Sequence, residues 1–130
     1  MNRLCRISRS SEETEAFGSE LVRLLRPSEV VLIHGDLGVG KSVLVRGVVR
    51  ALPGGGGRAV RSPTFVYIHN YSTVPPVHHV DLYRLPINFD PADLGLEEFT
   101  EGEGVTLIEW AQRLGRVSNA YPNQMVVRME

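Results

Sequence analysis

Cysteine, lysine and tryptophan each occur once in this chain of 130 residues. A lone Cys5 excludes an internal disulfide framework and a Cys-rich zinc site. The simplest setting for such a chain is the reducing cytoplasm. Long apolar runs are missing as well: Val30-Val31-Leu32-Ile33 is far short of the roughly 20 residues that a transmembrane helix needs. The first residues carry Arg3, Arg6 and Arg9 but no apolar stretch of the kind that marks a secretory signal, and Glu12, Glu13 and Glu15 follow at once. A surplus of one charge is lacking too. Fourteen basic residues against 15 acidic ones leave −1, which weighs against a strong electrostatic nucleic-acid binder, DNA or tRNA.

What is present fits one domain, expected to span residues 1–130, with 42% apolar residues for a single core. Ser10 and Glu13 have capping-box spacing. Ala16, Phe17, Leu21, Leu24 and Leu25 then recur at helical steps, which predicts an amphipathic helix over residues 11–26, stopped by Pro27. Glu29 to His34 reads as a buried strand, and Lys41 to Leu52 as a second helix in which Gly47 is a weak spot. Gly54 to Gly57 reads as a surface loop. Phe65–Tyr71 and Val77–Tyr83 form a plausible hairpin pair. One or two short helices are expected around Asp93 and Glu97, strands at Val105–Glu109 and Gln124–Arg128, and a helical turn from Ala111. The order implies an α/β fold: a phosphate-loop-like sheet of mixed parallel and antiparallel strands, flanked by helices.

The single lysine has a telling position. Gly35-Asp36-Leu37-Gly38-Val39-Gly40-Lys41-Ser42 satisfies G-x-x-x-x-G-K-[ST], between a buried strand and a helix. Glycines let the backbone wrap close to phosphate oxygens with several N–H groups pointing inward, and the helix N-terminus adds positive charge. Lys41 reaches the β- and γ-phosphates, and Ser42 offers a hydroxyl to Mg²⁺. In a chain that otherwise uses 13 arginines, a lysine here points to a need for the compact ammonium.

Hydrolysis further requires a carboxylate near the metal and a means of orienting water. Two strand-end acids qualify, Glu109 and Asp81. The bland alternatives are a solvated acid for Glu109 and an ion pair with Arg84 for Asp81. Thr64, after Ser62-Pro63, stands where a switch threonine would sense the γ-phosphate; ordinary turn chemistry is the alternative. His78 and His79 must face opposite sides of a strand, one buried or supporting the site and the other exposed. Trp110 is expected on the strand face opposite Glu109, as core packing or as an anchor for a partner. The guanine-reading Asn-Lys-x-Asp motif is absent, so ATP is the default nucleotide.

Taken in order, His34 to Ser42, Ser62-Pro63-Thr64-Phe65, His79-Val80-Asp81-Leu82-Tyr83-Arg84-Leu85, Gly95-Leu96-Glu97-Glu98-Phe99 and Ile108-Glu109-Trp110 resemble the TsaE family. These are the ATPase components of bacterial tRNA threonylcarbamoyladenosine biosynthesis. The likeness runs from about Ser11 to Leu114. It implies binding of ATP and Mg²⁺, and association with a TsaB–TsaD pair whose turnover the ATPase cycle supports. TsaD modifies the adenosine next to the anticodon, so tRNA is engaged only indirectly. By matching positions, the resemblance implies that Lys41 and Ser42 hold phosphate and Mg²⁺, while Asp81 and Glu109 support metal and water. Thr64 then belongs to a switch-like segment, Trp110 to the nucleotide or partner side, and Thr14 lies near the adenine. Ser42 replaces the family's more frequent Thr and keeps the hydroxyl. Two other readings remain open: a small-molecule kinase with Arg84 or Arg113 in a lid, and a nucleotide-sensing adaptor with negligible hydrolysis.

Overall fold

The computed structural model describes residues 3–36, 38–54, 60–61 and 67–130. Leu37, Thr64, most of the glycine run and the expected start of a strand at Phe65 lie outside the described residues. Among the described residues, six strands form one sheet in the order β2-β3-β4-β5-β1-β6. They are β1 (Val30–His34), β2 (Val60–Arg61), β3 (Tyr67–Tyr71), β4 (Val77–Asp81), β5 (Val105–Glu109) and β6 (Gln124–Arg128). Strands β4, β5, β1 and β6 run parallel, and β3 and β2 continue antiparallel at one edge. The described residues also form the helices α1 (Ser11–Leu21), α2 (Lys41–Ala51) and α3 (Glu97–Thr100), with short 3₁₀ segments. The mixed α/β architecture expected from the sequence is the one observed. No helix among the described residues is long and apolar enough to cross a membrane.

Burial on both faces explains why β1 and β5 read as nearly continuous apolar runs instead of alternating ones. Val31, Ile33, Val77, Val105 and Leu107 point to one side and pack with Leu44, Val45, Val48 and Val49 of α2 and Leu21 of α1. Val30, Leu32, Val80 and Ile108 point to the other and meet Leu82, Leu85, Leu96, Leu114 and Tyr121. Each fully buried Leu or Val contributes roughly 1.5–3 kcal/mol relative to exposure.

Helix α1 starts as its capping box requires: Glu13 N–H donates to Ser10 Oγ at 3.1 Å, and the Glu13 carboxylate accepts from Arg9 N–H. It stops five residues earlier than the apolar pattern suggests. A single 3₁₀ turn, Val22–Leu24, follows, and Leu25 is already extended (ψ 137°), in keeping with the approach to Pro27. Gly47, which propensity marks as a defect, lies where α1 crosses α2. A Cβ there would come within 2.1 Å of the Glu15 carbonyl oxygen, and one at Gly18 within 2.4 Å of the Leu44 carbonyl oxygen. The two helices touch backbone to backbone. Strand β4 ends at Asp81, two residues short of the expected Tyr83, because Asp81 Oδ1 accepts the Tyr83 N–H at 3.0 Å and turns the chain.

Candidate functional site

The carboxyl ends of β1, β4 and β5 lie side by side at one end of the sheet, the place where open α/β sheets bind ligands. From β1 the chain enters the Gly35–Ser42 loop and then α2. Gly38 and Gly40 hold φ angles of 84° and 97°, conformations that bring the chain tightly round into the helix and that side chains with a Cβ rarely adopt. Gly40 is the N-cap of α2 and supplies no side-chain acceptor, so the first N–H groups of that helix face the loop.

Lys41 is 4% exposed. Its Nζ donates to the carbonyls of Gly35 (2.7 Å) and Asp36 (2.5 Å) and lies 4.3 Å from the centre of the Trp110 ring. Burial draws its ammonium below the ordinary range, and the negative charges of Glu109, Asp36 and Asp81 oppose that. Ser42 Oγ lies 3.2 Å from each carboxylate oxygen of Glu109 and donates to them. Register pairs Asp81 with Glu109, so both acids occupy neighbouring strand ends on the same side of the sheet as α2. Glu109 is 3% exposed and raises the Tyr71 hydroxyl beyond what burial alone does. Asp81 is half-buried, with one oxygen already engaged by the Tyr83 N–H.

Thr14 reaches the same end of the molecule. It shares a cleft of about 210 Å³ with Ser8, Ser10, Ser11, Gly38, Val39, Gly40 and Val43. Its Oγ1 is 2.6 Å from Ser8 Oγ and 3.2 Å from the Ser10 carbonyl oxygen. Gly35, Asp36, Gly38, Val39, Gly40, Lys41, Ser42, Thr14, Asp81, Glu109 and Trp110 therefore cluster around one loop. Leu37 and Thr64 lie outside the described residues.

One expectation is met and extended, and one needs revision. Trp110 does pack against the core on the face opposite Glu109, as strand alternation requires. However, its backbone is left-handed (φ 59°, ψ 42°), which ends the strand, and its ring lies against Lys41 at the carboxyl end of the strands and against Tyr83, whose ring centre is 4.9 Å away. Neither histidine is exposed. His78 is half-buried, with Nδ1 2.8 Å from Asn70 Oδ1 and its ring against Phe99. His79 is buried with Nε2 2.5 Å from Glu109 Oε2. Contacts that sequence reasoning missed include the His79–Glu109 pair, the Tyr83–Trp110 stack and Met129, which lies beneath Gly35 and Gly40. Part of the first was legible: His79 stands two residues before Asp81 and so shares its face, although the strand register that brings Glu109 to it was not.

Among the described residues no group of three His, Cys, Asp or Glu side chains could hold a metal by itself. Mg²⁺ needs less from a protein, taking one or two carboxylates while phosphates and water fill the rest. The hard oxygens of Ser42 and Glu109, within 3.2 Å of each other and beside Asp81, fit that ion.

Strand, glycine loop, helix and facing carboxylates define the class: an α/β protein of the phosphate-loop-like type. The family described as threonylcarbamoyl adenosine biosynthesis protein TsaE matches residues 8–130, and the chain belongs to that family. It is 41% identical over 101 residues to the tRNA threonylcarbamoyladenosine biosynthesis protein TsaE of Bacillus subtilis, covering 77% of this chain and 61% of that protein. To the proteins of the same name from Aquifex aeolicus and Rickettsia bellii it is 39% identical over 108 and 107 residues. These matches cover 82% of this chain in each case, and 76% and 73% of the two relatives. The chain thus spans about three fifths of the Bacillus relative and about three quarters of the other two.

Proposed function

We propose that this chain binds ATP with Mg²⁺ in the Gly35–Ser42 loop and hydrolyses it in the service of tRNA threonylcarbamoyladenosine formation, acting with a TsaB–TsaD pair. The observation that supports this most directly is the approach of Ser42 Oγ to both oxygens of Glu109, with Lys41 one residue away. A loop lysine, a metal-facing hydroxyl and an opposing carboxylate are the parts that phosphoryl transfer to water requires. Family membership supports the biological setting.

In this reading the loop N–H groups and the start of α2 grip the phosphates. Lys41 leaves the Gly35 and Asp36 carbonyls for the β- and γ-phosphate oxygens. Ser42, Glu109 and Asp81 would hold Mg²⁺, which when bound neutralises charge that builds up on the phosphate oxygens. Glu109 also accepts a hydrogen bond from the attacking water and orients it. Thr14 and the serines of the neighbouring cleft border the nucleoside, and Trp110 holds the lysine side chain in place from below. Thr64 supplies the switch-like contact to the γ-phosphate. One observation counts against the kinase alternative: Arg113 spends a guanidinium N–H on the Leu85 carbonyl instead of standing free as a lid residue.

The test is calorimetry and phosphate release on purified protein. Lys41→Ala should weaken ATP binding by about 3 kcal/mol, on the order of a hundredfold. Glu109→Ala should keep ATP and lose hydrolysis. Unchanged affinity in the first variant refutes the site, and normal turnover in the second moves the water-orienting role to Asp81. A phosphorylated metabolite in place of free phosphate would establish the kinase reading. Failure to recover TsaB and TsaD with the protein from native extract would refute the partnership.

A further inference from the structure

We propose that His79 is a positioning residue that fixes the rotation of the Glu109 carboxylate, so that Oε1 and not Oε2 faces the nucleotide. The proposal rests on the hydrolytic reading above and assigns a role to a residue outside the loop. Parallel pairing of β4 and β5 sets Asp81 opposite Glu109 and His79 opposite Leu107. His79 therefore lies on the same face of the sheet as Glu109, one step back from the site. Its Nε2 is 2.5 Å from Oε2. With Glu109 as carboxylate the proton is on Nε2, and that N–H donates to Oε2. His79 is 9% exposed and Glu109 3%, so little solvent competes for the contact. The His69 ring stands 5.6 Å away, tilted by 45°, and backs the imidazole from the neighbouring strand.

Ser42 cannot do the same work. Its hydroxyl is 3.2 Å from both oxygens, and a donor equidistant from the two does not choose between them. In the reading above it also turns to the metal when the site loads. His79 then remains, holding Oε2 from behind. Groups that orient ligands in this way typically matter about tenfold to a hundredfold for affinity or activity.

Two variants and one spectrum test this. His79→Leu removes the donor and keeps bulk, whereas His79→Gln restores an amide N–H at about the reach of Nε2. In His79→Leu, kcat should fall by about tenfold to a hundredfold while ATP affinity stays within about threefold; His79→Gln should recover most of kcat. Independently of turnover, nitrogen-detected imidazole spectra of the protein without nucleotide or metal should show His79 protonated on Nε2. The slowly exchanging N–H should vanish in Glu109→Ala. Equal losses in both His79 variants, or a proton on Nδ1 alone, overturn the proposal. Wild-type protein inert toward ATP overturns the hydrolytic reading and this proposal with it. A wild-type ATPase whose His79→Leu variant turns over normally overturns this proposal alone.

Discussion

The two faces of the sheet are built in different ways. On one, α1 and α2 lie in backbone contact over β1, β4 and β5, and Ser42, Glu109 and His79 all belong to that side. On the other, the segments Leu82 to Thr100 and Ala111 to Tyr121 cover the strands with 3₁₀ turns, a one-turn helix and loops. Regular helices leave little room for neighbours to shift, which suits a site that must hold a hydroxyl and a carboxylate at a fixed separation. The irregular covering reaches the same degree of burial without the same repeating hydrogen bonds, so it has more freedom to settle around a defect.

Matched core truncations should bring out that difference most strongly. Leu107 and Leu114 are each 1% exposed, the first on the helical face and the second on the irregular one. Leu107→Ala should cost about 4 kcal/mol and Leu114→Ala about 2, because the cost depends on how far the surroundings collapse into the space. Equal values from urea unfolding would erase the distinction. Next in size is Gly47→Ala. It adds a methyl group against the Glu15 carbonyl and should cost about 3 kcal/mol by forcing α1 off α2, against a helix-propensity gain of about 1 kcal/mol in the opposite direction. A stabilised variant would show that the helices are not locked together.

The smallest effect is one of pH. His78, on the irregular face, and His34, at the end of β1, are both held below their ordinary value of 6.5, by burial in each case and by Arg128 as well for His34. A lowered folded-state value means that the unfolded chain takes up the proton first. Stability is therefore fully present above pH 6.5 and is lost as pH falls from there through the folded-state values. Urea midpoints measured from pH 7.5 down to 5.0 should decline, and His78→Asn should make the slope shallower. A midpoint that rises on acidification would contradict both assignments.

Much of this was legible in the sequence wherever a single physical signal dominated. Val105–Glu109 and Gln124–Arg128 read correctly to the residue, each starting directly after turn-forming residues, Gly102-Glu103-Gly104 and Pro122-Asn123. The loop from Gly35 to Ser42 was legible because its chemistry dictates its residue types. Strand β2 was not, since two residues beside a glycine run carry no periodicity. Alternation shows that His79 shares the face of Asp81, but its contact with Glu109, 30 residues away, also depends on how the strands pair, which no local pattern encodes. Alternation placed Trp110 on the face opposite Glu109 but not its reach to Lys41 and Tyr83, because its own backbone leaves the strand.

The resting bonds of Lys41 to Gly35 and Asp36 have a consequence for discrimination. Any newcomer must offer the ammonium more than two well-aligned carbonyl dipoles and an aromatic face already provide. A weakly charged anion such as chloride, or a sugar hydroxyl, gains nothing by displacing them. On the proposed nucleotide-binding reading, a polyanionic tail long enough to span the loop would gain, so the lysine's own bonds would set a threshold that screens visitors by charge density before any recognition of a base begins.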